Sequence, residues 1–540
     1  MSQHLPEKLP IVHTDAVRDA LRARREIALV DVREEDPYAQ AHPLFAVQLS
    51  TSRLELDAPW RLPRRDVPVV VYDNGEGLAE PSAHKLIALG WSDVSLLDGG
   101  LAGWAEAGGE LFRDVNVPSK AFGELLEHER DTPSLPAEDV KALLDSGANV
   151  VVLDARRFDE YRTMSIPGGT SVPGAELVLR ARDLAPDPAT RIIVNCAGRT
   201  RSLIGAQSLV NAGLPNPVAA LRNGTIGWLL AGFELEHGQQ RRFGPVSAAS
   251  LAAARESAQQ LAERTGAQRI DEACLARWAA DASRTLYRWD VRTPEEYAAG
   301  HRPGFGSAPG GQLVQETDVF AAVRGARIVL TDGGSASDAV RAPITAHWLA
   351  QLGWEVAWLD APHPSEGLET GTWQPARGAS PEVQTIGVAE LAGLLAEDAA
   401  TVIDFAPSAQ HVQGHVPGAW WALRSQLSAA LKGLPEAPKR IVATCGTSLL
   451  ARLAAVDIQA LTDIPVSVLE GGNAAWAAAG QPLQPGGERL LSPRIDRYRR
   501  PYEGTDAPRE AMQGYLDWEF GLVAQLGRDG THGFRVLQPA

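Results

Sequence analysis

The stretch Arg191-Ile192-Ile193-Val194-Asn195-Cys196-Ala197-Gly198-Arg199-Thr200-Arg201-Ser202-Leu203 decides the fold. Its first four residues form an apolar, β-branched run before a glycine-containing loop, which predicts a buried strand. After Ser202 the text turns helical. Leu203, Ala206, Leu209 and Val210 fall on one face, and Gly213 is a stop signal. A thiol therefore stands where a strand ends and a short loop enters a helix. Unpaired N–H groups and the helix dipole favour an anion at such a point. With Arg199 and Arg201 beside it, Cys196 is expected to have a depressed pKa and to react as the thiolate.

Working outward, the chain repeats itself four times. Each unit has a strand ending in Asp: Leu29-Val30-Asp31, Val152-Leu153-Asp154, Arg288-Trp289-Asp290 and Val402-Ile403-Asp404. An arginine follows two places later in three of them (Arg33, Arg156, Arg292), whereas the fourth has Ala406. About forty residues on, the position of Cys196 is taken by Asp73, Cys196, Asp332 and Cys445 in turn. A glycine-rich turn followed by a tryptophan closes three units: Gly99-Gly100 with Trp104, Asn223-Gly224 with Trp228, and Gly471-Gly472 with Trp476. The third unit has Asp360-Ala361-Pro362 instead. Agreement at so many positions identifies four homologous units. Short apolar strands alternate with helical segments in each, which predicts an α/β fold: four tandem domains, each a mostly parallel sheet flanked by helices. The Asp-x-Arg pairs read as structural.

The Cys196 loop resembles the active-site loop of the rhodanese family of sulfurtransferases, a cysteine and five residues before a small one. A phosphatase-type loop needs an arginine where this chain has Ser202. The resemblance implies a tandem rhodanese of the thiosulfate sulfurtransferase type. In that family the cysteine becomes a persulfide, cradled by main-chain N–H groups. Carried onto this sequence, Cys196 is the expected catalytic residue, with Ala197, Gly198, Arg199, Thr200, Arg201 and Ser202 as the substrate-binding loop. Arg199 and Arg201 are expected to hold the sulfonate of the donor. Small, uncharged loop residues mark the mercaptopyruvate branch of the family, so the two arginines tilt the donor toward thiosulfate; 3-mercaptopyruvate is the alternative. The acceptor is then a thiophile such as cyanide or a thiol. A persulfide relay or scaffold serving a partner enzyme is the second reading.

The other loops differ informatively. Tyr72-Asp73-Asn74-Gly75-Glu76-Gly77 and Thr331-Asp332-Gly333-Gly334-Ser335-Ala336 carry a carboxylate, which cannot pass on a sulfane sulfur, so units one and three are expected to be inactive. Cys445, in Thr444-Cys445-Gly446-Thr447-Ser448-Leu449, is a second candidate catalytic thiol, but its loop holds no cation. Cys274 reads as a helix-face packing residue.

Boundaries are expected at 1–115, 116–243, 266–372 and 382–487, followed by a docking tail at 488–540. An exposed or interdomain helix is expected near 245–265, and the third unit ends near Pro362-His363-Pro364. One tail helix is expected from about Pro508 to Leu526, carrying Met512, Tyr515, Leu516, Trp518 and Phe520. These residues would dock on another unit or on a second copy of the chain, giving a homo-oligomer. Three cysteines in 540 residues leave no disulfide framework. No cofactor and no metal-ligand spacing is read. The start, Met1 to Glu7, lacks the marks of a signal peptide. A net charge of −16 disfavours nucleic acid and membrane surfaces and leaves small-molecule sulfur donors and acceptors as partners. A cytoplasmic setting is expected.

Overall fold

A computed structural model describes residues 8–333, 339–362, 367–436, 438–504 and 506–539. The start Met1–Glu7, Gly334–Ala336 of the third loop and the His363–Pro364 boundary lie outside the described residues. Four five-stranded sheets succeed one another along the chain. The first contains β1 (Ile11–Val12), β2 (Ala28–Asp31), β3 (Ala46–Gln48), β4 (Val69–Tyr72) and β5 (Val94–Leu97). The second contains β6 (Ser134–Leu135), β7 (Val150–Asp154), β8 (Thr170–Ser171), β9 (Arg191–Asn195) and β10 (Val218–Leu221). The third is β11 (Gln268–Ile270), β12 (Leu286–Asp290), β13 (Gly306–Ser307), β14 (Arg327–Thr331) and β15 (Glu355–Leu359). The fourth is β16 (Thr385–Ile386), β17 (Thr401–Asp404), β18 (Trp420–Trp421), β19 (Ile441–Thr444) and β20 (Val466–Leu469).

All four have one order, β1-β5-β4-β2-β3 and its equivalents, and every pairing among the named strands is parallel. Parallel sheets need helices on their faces, which is why β4, β9 and β19 are apolar along almost their whole length. The key position follows the fourth strand of each unit, at the carboxyl edge where open α/β sheets place their ligands.

The repeated motifs have visible tasks. Arg156 grips Asp154 with two parallel N–H···O bonds, at 2.9 and 2.7 Å, and also donates to the Met164 carbonyl at 2.6 Å. Arg33 does the same with Asp31 and Ala41, and Arg292 with Asp290 and Gly300. In unit four, where Ala406 removes the arginine, His411 Nδ1 stands 2.8 Å from Asp404 instead. The closing turns hold the key loop: Thr225 N–H and Ile226 N–H bond the carbonyls of Cys196 and Ala197. Gly224 has φ +54°, and a Cβ there would lie 2.3 Å from the Cys196 carbonyl oxygen. Trp104, Trp228 and Trp476 are buried, each ring N–H donating to a carbonyl six residues on.

One large hydrophobic core runs through units one to three, units two and three also have smaller clusters, and unit four keeps cores of its own. The helix Ala248–Thr265 buries Ala254, Ala258, Leu261 and Ala262 between units, the interdomain one of its two readings. The tail corrects one expectation: it holds two helices, Arg509–Phe520 and Leu522–Asp529, broken at Gly521. It docks within its own chain. Met512, Tyr515 and Leu516 join Ile226 of unit two, while Leu522, Leu526 and Phe534 enter the shared core.

Candidate functional site

Cys196 follows β9 directly, and the helix Thr200–Asn211 starts four residues later. Leu203, Ala206 and Leu209 bury the inner face of that helix. Val210, expected beside them, is 38 % exposed because it sits one step round toward solvent. The thiol itself is only 2 % exposed. Its Sγ lies 3.3 Å from Ser202 Oγ, which donates in turn to the Arg199 carbonyl at 2.8 Å. The Ser202 N–H, one of the unpaired donors of the first helical turn, also reaches the sulfur.

Of the predicted loop, Ser202 and Arg201 act directly on the sulfur, and the structure corrects two expectations about charge. First, neither arginine is free. Arg199 donates to Glu124 at 2.7 and 2.9 Å, to Glu127, and to Asn223 Oδ1 at 3.1 Å, with Phe520 packed over its guanidinium. Arg201 makes a two-pronged bond to Glu160 at 2.8 and 2.9 Å. Second, the thiol pKa is raised and not depressed. Burial pushes it up and Glu519 adds to the rise, against the opposing pull of Arg201 and Ser202. Arg201, paired with Glu160, is the largest opposing pull but does not outweigh burial.

The tail helix Arg509–Phe520 covers this loop. A Cβ placed on Gly198 would lie 3.1 Å from the Tyr515 ring and 3.5 Å from Glu519 Oε2. Glu519 is completely buried. Its Oε1 accepts from the Tyr515 hydroxyl at 2.7 Å, and its Oε2 has no partner among the described residues. Lys120 of the helix Val117–Arg130 stands nearby, bonded to Asp114 at 2.8 Å and faced by the rings of Tyr502, Tyr515 and Trp518. On the far side of Arg201 a 440 Å³ cavity opens between unit two, unit three and the tail, lined by Arg156, Arg157, Gln315, Arg500 and Tyr502. Glu124, Glu160 and Glu519 were not singled out from the sequence, and Tyr515 was read only as a docking residue. For the tail pair, the surplus of aromatics at 502–520 was the one available signal.

The other three loops are a comparison within the chain. In unit one the Asp73 carboxylate accepts from the N–H groups of Gly75, Leu78 and Ala79. In unit three Asp332 accepts from Val340, Arg341 and Ala342. Each carboxylate fills its own anion hole. Cys445 lines a 240 Å³ cavity. The loop itself holds no cation, as expected, but Arg53 of unit one, bonded to Asp57 at 2.9 and 3.2 Å, lines the same cavity across the interface, with Arg377. Arg424 of unit four, bonded twice to Glu55, fixes that interface. Ser448 enters the following helix at φ +70°, in the left-handed region that glycine occupies without strain. Cys274 is half-buried against the third unit's core.

The model of the rhodanese-like domain matches residues 14–107, 136–231 and 387–479. This chain belongs to the rhodanese-like family. The crystal structure of a thiosulfate sulfurtransferase from Pseudomonas aeruginosa is 63% identical, with 98% of this chain and 100% of that one covered and a TM-score of 0.96. SseB of Mycobacterium tuberculosis (strain ATCC 25618 / H37Rv), provisionally named a thiosulfate sulfurtransferase, is 30% identical over 125 residues, which is 21% of this chain and 43% of that protein. The match thus spans less than half of SseB. YrkF of Bacillus subtilis, provisionally named a sulfur carrier protein, is 27% identical over 140 residues, 23% of this chain and 72% of YrkF. The third unit carries the same sheet as the other three without a match to the family model. Among the described residues no helix is long and apolar enough to cross a membrane.

Proposed function

We propose that the chain is a thiosulfate sulfurtransferase working through a persulfide on Cys196. The observation that carries this is the contrast between loops: units one and three plug the anion hole with an aspartate, and unit two presents a sulfur there. The name of the Pseudomonas aeruginosa protein supports thiosulfate as the donor. Cys196 Sγ attacks the outer sulfur of thiosulfate, the S–S bond breaks, and sulfite leaves with the electron pair. The thiol proton is lost to solvent or base. A nucleophilic acceptor, cyanide or a thiol, then attacks the outer sulfur of the persulfide and Cys196 leaves as the thiolate. Such covalent relay gives ping-pong kinetics.

Helix-terminal N–H groups stabilise the negative sulfur, and the arginines act one step removed. Paired with Glu124 and Glu160, they hold the loop in shape and leave it a partial positive field. A cytoplasmic, reducing setting suits such a thiol. The test is Cys196→Ser, which is expected to abolish thiosulfate:cyanide transfer while Cys274→Ser leaves it intact. Mass spectrometry after thiosulfate treatment is expected to find one added sulfur atom on the Cys196 peptide. Near-normal turnover without Cys196 would overturn the reading.

A further inference from the structure

Glu519 is a carboxyl side chain with 0 % exposure, no salt bridge, and one oxygen without a hydrogen-bond partner among the described residues. Burying such a group is costly unless it serves the neighbourhood it faces. What it faces is the backbone of the Cys196 loop: Oε2 lies 3.5 Å from the Cβ position of Gly198. The position is fixed from both ends. Tyr515 holds Oε1 at 2.7 Å, and Phe520, the next residue, lies on the Arg199 guanidinium at 4.3 Å.

We propose that Glu519 is a charge gate over the Cys196 loop: as the neutral acid it admits an anionic donor to the loop, and as the carboxylate it repels one. The proposal rests on the reading of Cys196 as the sulfur-accepting thiol and adds to it a residue that sets which donors enter, and when. The surroundings fix the sign. Glu519 is faced by Tyr515 of its own helix, by Lys120 and Glu124 of the helix Val117–Arg130, by Arg199 and Cys196 of the loop, and by Tyr502 of the preceding tail segment, which abuts Tyr515. Both nearby cations have other carboxylates: Lys120 has Asp114, and Arg199 has Glu124 and Glu127. Burial and Glu124 therefore prevail and push Glu519 up to about 8. A carboxyl raised in this way is neutral below that pH and charged above it, so the loop accepts anions on the acid side and rejects them on the alkaline side.

The experiment uses the full chain and two alkylating reagents of similar size, neutral iodoacetamide and anionic iodoacetate. The same thiolate reacts with both, so the ratio of their rates at Cys196 cancels thiol ionisation and reports the field at the sulfur. In the natural chain the iodoacetate-to-iodoacetamide ratio at the Cys196 peptide is expected to fall on the order of three- to tenfold as pH rises through about 8. In Glu519→Gln it is expected to stay flat. Tyr515→Phe removes a hydrogen bond that favours the carboxylate, so the fall should move to higher pH. A flat ratio in the natural chain, or the same fall in Glu519→Gln, overturns the gate. Should Glu519→Gln fail to fold, an unmoved transition in Tyr515→Phe overturns it. Thiosulfate loading, read as one added sulfur atom on Cys196, is scored separately. Loading with a flat ratio sinks the gate and leaves the sulfurtransferase standing, and the pH-dependent ratio without loading does the reverse.

Discussion

Removing Arg201 separates two roles for a loop arginine, support of the loop and contact with the donor. The Arg201–Glu160 pair has side chains 15 % and 24 % exposed and two bonds near 2.9 Å. Burial alone would push Glu160 up, but Arg201, helped by Arg156 and Arg157, brings it down from 4.5 to about 2. A displacement of that size is worth about 3 kcal/mol. Discounting for partial exposure and for the other two arginines leaves about 2 kcal/mol for Arg201 itself. Because the carboxyl is depressed, this stability is present above pH 4.5 and is lost as pH falls toward 2. A double-mutant cycle of Arg201→Ala and Glu160→Gln, by urea unfolding followed through Cys196 alkylation, should give a coupling of about 2 kcal/mol at pH 7. Both single variants should lower sulfur transfer from thiosulfate and from 3-mercaptopyruvate to the same extent. Coupling below about 0.5 kcal/mol, or a loss confined to thiosulfate, would refute loop support and return Arg201 to the donor.

Three further outcomes are expected. Ser448→Gly relieves the left-handed backbone at the helix start of unit four and should stabilise the chain by up to about 1 kcal/mol in thermal unfolding; a loss would mean the hydroxyl matters more than the strain. Arg53→Ala should slow alkylation of Cys445 and leave that of Cys196 unchanged, since Arg53 shares a cavity with the fourth-unit thiol; equal rates in both proteins would remove unit one from that site. Asp73→Ala empties the anion hole of unit one and should cost about 1 kcal/mol, as loss of a helix cap does, with no effect on sulfur transfer.

The parallel sheets, the four units and the placement of the thiol were legible because they are local and repeated: a β-branched run before a glycine loop means the same thing four times over. The Asp-x-Arg pairs were legible for the same reason, two residues apart on one strand end. What the sequence did not show is set by contacts across long separations. Arg199 looked like a free cation because Glu124 and Glu127 lie more than seventy residues upstream. Glu519, more than three hundred residues downstream of Cys196, carries no motif at all. Arg53 and Cys445 are nearly four hundred residues apart, so a loop without a cation in the text acquires one only when units one and four meet.

The cover over Cys196 also has a timetable. About 320 residues separate the thiol from Tyr515, and at the ~5–20 residues per second of synthesis they take roughly 15 to 60 s to make. Glu124 and Glu127 precede the loop, so Arg199 can find its carboxylates as soon as unit two folds. The roof cannot arrive until the fourth unit is out. Each nascent chain therefore passes through an interval in which its sulfur is framed but uncovered, and the helix Arg509–Phe520 ends that interval.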